Sequence, residues 1–305
     1  MNKPLISVLM LSYNHEKFIQ DSLDSIACNY SIRYDLEIVV IDDGSSDESV
    51  RIIKSFKDKN KIPLRLIEKK HCGVKAISKN FNELISLAKG NYISFLASDD
   101  SFSPNRFLNQ LSVMEADENV AICYANGINI KLGARPSLVH RPKEVELLAS
   151  NDADRIFNFV TNNIPGIFIQ SILVKSNFLK SFKPFDERLI ADDWVFNIRA
   201  FKEISNRGLS FCYVDQIVFK RNIHNENTSR NTRVHFERLN QVIERYCEDR
   251  EKLLGYAVFS SVLQNIRTGQ INGIWYFIKK LELSSKLPII AITWIFNLVL
   301  NKVRK

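Results

Sequence analysis

The sequence is poor in features that mark several common kinds of protein. Its five cysteines, Cys28, Cys72, Cys123, Cys212 and Cys247, lie far apart and form no CxxC pair. That spacing excludes a disulfide framework and a zinc ribbon, and it fits a reducing compartment. Glycine is scarce, with 10 in 305 residues, and none falls in LSYNHEK after the first apolar run. A dinucleotide-binding oxidoreductase needs a glycine-rich turn at that place, so that class is set aside. No apolar run reaches the roughly 20 residues that span a bilayer. The N-terminal run in MNKPLISVLMLSYN is too short for a secretory core with its cleavage site and reads as a strand, so a cytosolic protein is expected. Basic residues exceed acidic ones, 42 to 34, for a net charge of +8, yet they are spread along the chain with only a small terminal cluster. An anionic partner is expected, and no nucleic acid, because no recognised nucleic-acid module accompanies the charge.

What is present is enough apolar sequence to bury a core, 45% hydrophobic against 25% charged. Apolar runs at 5–11, 36–41, 64–67, 92–97 and 120–124 are short and rich in branched or aromatic residues, which predicts buried strands. Between them Phe18, Ile19, Leu23 and Ile26, then Val50, Ile53 and Phe56, then Ile77, Phe81, Leu84 and Ile85, then Phe107, Leu108, Leu111 and Met114 have helical spacing. Ser45 and Glu48 have the spacing of a capping box, Gly90 stands where a helix C′ glycine belongs, and Pro104 suits a first helical position behind Ser103. The alternation predicts an α/β fold with a mostly parallel sheet covered by helices on both faces. Ligands of such sheets lie beyond the carboxyl ends of the strands.

Two acidic pairs fall at those ends, Asp42-Asp43 after the second strand and Asp99-Asp100 after the fourth. An aspartate pair after a strand is commonly turn chemistry. Here Ser103 is available to cap the next helix, which leaves Asp99 and Asp100 as adjacent like charges that repel unless a cation joins them. Carboxylates open to a cleft suit Mg²⁺ or Mn²⁺ that also binds a substrate's phosphates.

ISVLMLSYNHEKFIQDSLDSI, LEIVVIDDGSSDES and GNYISFLASDD followed by Pro104 together resemble the nucleotide-sugar half of family 2 glycosyltransferases, which have the GT-A fold. FKPFDERLIADDWVFNIRA at 182–200 is similar to the acceptor-side segment of that family, and FKRNIHNENTSR at 219–230 to the stretch that follows it. The resemblance implies that Ser12, Tyr13 and Asp43 hold the nucleotide, with the aromatic face on the base and the carboxylate on a ring N–H. It implies that Asp99 meets the ribose or the metal, that Asp100 ligates the metal on the donor diphosphate, and that His224 stands at a ligand position used by some relatives. Ala97 occupies the place of a frequent additional aspartate. Lys79 resembles a basic residue that meets a phosphate as a point charge. Asp193 matches the catalytic base of an inverting transfer, and Asp192 stands where a glutamate is usual. Asp192 as a helix cap is the alternative.

The organisation implied is a catalytic domain over 1–230, divided into a nucleotide-sugar half (1–100) and an acceptor half (101–230), a helical region over 231–283 and a tail over 284–305. In that tail LPIIAITWIFNLVL, fourteen residues at 287–300, is followed by Lys302, Arg304 and Lys305. An apolar helix with a basic end suits peripheral docking on the inner face of the plasma membrane, where a glycan acceptor on a lipid diphosphate would be met. A hydrophobic homodimer contact is the structural alternative. The function expected is a metal-dependent transfer from a nucleotide-sugar donor, a UDP-sugar first, in bacterial surface-polysaccharide synthesis. A polyprenyl-phosphate sugar transferase and a degenerate binding protein stay open. Several spans and a QxxRW stretch, marks of the processive enzymes, are absent.

Overall fold

The computed structural model describes residues 3–190, 193–224 and 231–268, together with residues 274, 276 and 277. The chain divides into two compact units, Met1–Val160 with Pro165–His224, and Thr161–Ile164 with Asn225–Lys305.

The first unit is built on one sheet. β1 (Leu5–Ser12), β2 (Asp35–Asp42), β3 (Leu64–Glu68) and β4 (Tyr92–Phe95) alternate with α1 (Ile19–Ala27), α2 (Ser49–Lys59) and α3 (Ile77–Leu87). β5 (Ser101–Phe102), α4 (Leu108–Ala116), β6 (Val120–Ile130) and β7 (Ser137–Leu138) follow. Then come α5 (Pro142–Ala149), α6 (Ala153–Asn162), β8 (Leu173–Lys175), α7 (Ser176–Lys180), α8 (Asp193–Arg207) and β9 (Ser210–Asn222). The strand order is β3-β2-β1-β4-β8-β6-β9-β5, with β7 on β6. β3, β2, β1 and β4 are parallel, as the alternation predicts. The other half is mixed: β8 is antiparallel to both β4 and β6, and β5 to β9. Short strands entered through turns need no helical crossover, so apolar spacing does not reveal them.

β1 and β2 read as continuous apolar runs because both faces are covered; Val8, Met10, Ile38 and Val40 are wholly buried. α1 presents Ile19, Leu23 and Ile26 to that core, and α2 presents Ile53 and Phe56. The punctuation works differently from its spacing. Ser45 Oγ donates to Asp42 and accepts the Asn14 N–H, so no capping box forms, and Asp47 receives the Ser49 N–H at the start of α2. Gly90 is required by contact instead of by a cap: a Cβ there would stand 2.7 Å from the Leu5 carbonyl and the Ser7 nitrogen of β1. Pro104 opens a turn ahead of α4, and no side-chain hydrogen bond from Ser103 caps that helix.

In the second unit α9 (Thr232–Tyr246) and α10 (Arg250–Thr268) pack as a pair. Asn231 caps α9 by accepting the Val234 N–H. Asn265 of α10 donates to Thr232 Oγ1 at 3.0 Å inside the pair, and Phe236 meets Phe277 edge to face. No helix of the described residues is long and apolar enough to cross a membrane. The tail over 284–305 lies outside the described residues.

Candidate active site

β1 and β2 run in register with Ser12 opposite Asp42, so Tyr13 and Asp43 leave the sheet edge together, and the Asp43 N–H donates to the Ser12 carbonyl (2.9 Å). Asp42 builds the turn. It is buried, and its carboxylate accepts the N–H groups of Gly44 and Ser45 and the Ser45 hydroxyl. Gly44 takes φ +79°, and a Cβ there would lie 2.7 Å from the His71 nitrogen, so only glycine fits. Asp43 makes contacts outside the turn. It accepts the Gly73 N–H at 3.0 Å and lies 2.9 Å from His71 Nδ1. The His71 ring stacks on Tyr13, centroids 4.2 Å apart and planes 16° from parallel. Tyr13 is 41% exposed, which removes it from the core. Ser12 is buried, and its hydroxyl finds no hydrogen-bond partner among the described residues.

Beyond β4 the second acidic pair separates. Asp100 is 3% exposed; its Oδ1 accepts the Asn222 N–H at 2.9 Å and its Oδ2 accepts from the Gln170 amide at 3.2 Å. Burial, and next the Asp99 charge, push its carboxyl up to about 8 against the pull of Asn222, Arg221 and Gln170. Asp99 has other partners: Oδ2 is 3.0 Å from His224 Nε2, and the His224 ring stacks on Phe18. His15 stands edge-on to His224 and meets Ser98 Oγ through Nδ1 at 2.6 Å. The structure therefore brings Asp99 and His224 together, while Asp100 is engaged with β9 and Gln170. No three His, Cys, Asp or Glu side chains among the described residues converge as a cation site by themselves.

Asp193 opens α8, where its Oδ1 accepts the Ile169 N–H at 2.9 Å. Trp194 is anchored by its indole N–H on the Val160 carbonyl, and Asn197 donates to the carbonyls of Ile167 and Asp193. Asp192 lies outside the described residues. Lys79 is exposed on the first turn of α3. Its neighbour Asn80 is buried and accepts from Lys69, which also pairs with Glu83.

Sequence reading misses His71 and Gln170, places Phe18 only on the apolar face of α1, and notes Arg221 and Asn222 only as part of 219–230. Their roles come from strands and loops meeting at one edge. Asn222 straps both acids, donating its N–H to Asp100 and its amide to the Asp99 carbonyl (2.6 Å), while the Arg221 guanidinium lies over Phe168.

The sequence matches the family model described as Glycosyl transferase family 2 over residues 7–173. The chain is a family 2 glycosyltransferase. An uncharacterized glycosyltransferase of Methanocaldococcus jannaschii is 28% identical over 236 residues, 74% of this chain and 73% of that protein. The chondroitin synthase of Escherichia coli is 28% identical over 236 residues, 74% of this chain but only 30% of that enzyme. Among solved structures, residues 1–349 of S. aureus TarS in complex with UDP-GlcNAc superpose with a TM-score of 0.59 at 17% identity, covering 93% of this glycosyltransferase and 76% of that TarS fragment. A mannosyltransferase from Pyrobaculum calidifontis in complex with GDP-Man and Mn²⁺ gives 0.58 at 15% identity, covering 98% and 81%. The fold of this family 2 enzyme is GT-A.

Proposed function

We propose that this glycosyltransferase moves a sugar, with inversion, from a UDP-sugar to a hydroxyl of a lipid-linked or nascent glycan in surface-polysaccharide synthesis. The observation that carries the reading is the bridge at 169–170. Ile169 donates its N–H to Asp193, and the next side chain donates to Asp100, so the candidate base and a donor-side acid are fastened to adjacent residues. The nucleotide-sugars bound by TarS and by the archaeal mannosyltransferase support a donor of this class.

Tyr13 offers a ring face to a base and Asp43 an acceptor to a base N–H. The buried Ser12 hydroxyl is an unmet group of the kind a bound nucleotide satisfies. The donor set near Asp99 fits a divalent cation: a carboxylate and an imidazole nitrogen 3.0 Å apart, beside a second, buried carboxylate. Asp99 and His224 would hold Mn²⁺ or Mg²⁺ with Asp100 behind them; the mixed oxygen and nitrogen set favours Mn²⁺. When bound, the cation offsets charge on the departing diphosphate. The acceptor oxygen attacks the anomeric carbon from the face opposite the diphosphate. The bond to the diphosphate oxygen breaks, and the acceptor proton passes to the Asp193 carboxylate.

Calorimetric titration of UDP, with and without Mn²⁺, tests the reading on the wild type and Asp99→Ala. Binding that requires the cation and is lost in the variant supports it; no binding of UDP or any other nucleotide refutes it. The tail over 284–305 belongs to the same proposal as a peripheral contact with an anionic leaflet on the cytoplasmic side. Full-length protein should sediment with membranes, and a form truncated after Ser285 should not; equal solubility would sink that part.

A further inference from the structure

We propose that Arg106 is a positioning residue for sugar transfer, fixing the backbone at 168–172 so that Asp193 and Asp100 are held in one geometry. The catalytic consequence rests on the transferase reading; the geometric claim does not.

Arg106 lies wholly buried in the turn ahead of α4. Its guanidinium stands over the rings of Phe102 and Phe107, 4.7 and 4.8 Å from their centroids. Nη1 donates to Gln110, and Nη2 donates to Ser94 Oγ, to the Ile172 carbonyl (2.6 Å) and to the Gln170 carbonyl (3.2 Å). None of these partners is a carboxylate. Burial pushes the group down to about 9.

A buried cation without an acid partner is costly, and an apolar side chain of similar volume commonly serves a core as well or better. The fold alone therefore does not call for a guanidinium here. What it supplies is a rigid fork of donors. Gln110, held by that fork, donates to the Ser171 carbonyl at 2.9 Å, so three consecutive carbonyls, 170 to 172, are tied from the Arg106 side. The donors of the same segment serve the site. The Phe168 N–H goes to His140, the Ile169 N–H to Asp193, and the Gln170 amide to Asp100. One buried side chain thus sets where the candidate base and the donor-side acid stand relative to each other.

The experiment compares wild type, Arg106→Met and Arg106→Lys by thermal unfolding, by hydrogen–deuterium exchange and by turnover of UDP-GlcNAc with Mn²⁺. Positioning predicts cooperative melting in both variants. It also predicts at least tenfold faster exchange of the Phe168 and Ile169 amides while β1 and β2 stay protected. kcat should fall at least tenfold, donor KM should hold within threefold, and lysine should recover part of the loss. Unchanged exchange at those amides overturns the proposal, and so does faster exchange with unchanged kcat. If neither variant folds, Gln110→Leu, which cuts the tie at Ser171 and with it the Gln110 bonds to Arg106 Nη1 and the Cys123 carbonyl while leaving the Arg106 ties to residues 170 and 172, is read by the same criteria. If the wild type turns over no nucleotide-sugar, the transferase reading fails, and the exchange data alone decide whether Arg106 holds the segment.

Discussion

Lowering the pH from 7 to 5 should weaken the fold through His140. This imidazole is wholly buried between β6 and α5, accepts the Phe168 N–H through Nε2 at 3.2 Å, and is bonded at the backbone to Asn126. Burial pushes it down to about 4 against the pull of Glu144 and the Ala125 backbone, from an ordinary 6.5. Between those values the unfolded chain holds a proton that the fold excludes, so stability is full above 6.5 and drains as pH falls toward 4. At about 1.4 kcal/mol per pH step, the fall from 7 to 5 removes about 2 kcal/mol. That is a large share of a typical 5–15 kcal/mol. The assay is urea unfolding of wild type and His140→Gln at pH 7, 6 and 5. Glutamine keeps an acceptor for Phe168 but does not titrate, so the stability gap between the two proteins should shrink by about 2 kcal/mol across the range. A gap constant to within about 0.5 kcal/mol would show that His140 is not held neutral, and the reasoning would fail.

Asp193→Asn preserves an acceptor for the Ile169 N–H, so melting should barely move while kcat falls roughly 10²- to 10⁴-fold with UDP affinity unchanged; steady-state kinetics and calorimetry check both halves. Tyr13→Ala removes an exposed ring and should weaken UDP by about 1–2 kcal/mol in calorimetry, with no effect on melting. Gly90→Ala forces a methyl to within 2.7 Å of β1 backbone and should cost about 1–3 kcal/mol in urea unfolding.

Much of the first half of the sheet was legible because burial on both faces writes itself as uninterrupted apolar runs; β1 to β4 and α1 to α4 stand where the spacing put them. The antiparallel half was not. β8 has three residues, too few to show a period, and it owes its place to neighbours on either side. Local signals misled where a side chain had a distant claim. Ser45 serves Asp42 and Asn14 instead of α2, and Gly90 answers to β1. At the site, Asp43 and Asp99 were visible as acids at strand ends, and Asp193 through the family resemblance. Gln170, Arg106 and His140 were invisible, since a polar residue in a loop or a core acquires its purpose only from what folds against it.

If Tyr13 takes a nucleotide base as proposed, its stack on His71 would make that recognition an exchange reaction. One face of the tyrosine is occupied by an imidazole, and Asp43 has that imidazole and two backbone amides for company. A base arriving at that face would trade one ring for another and one partner of the carboxylate for another. The free energy of recognition would then be a difference between two similar stacks, and bases with weak faces or without a ring N–H would gain nothing by displacing His71. Discrimination among nucleotides would come from the resident side chain as much as from the visitor.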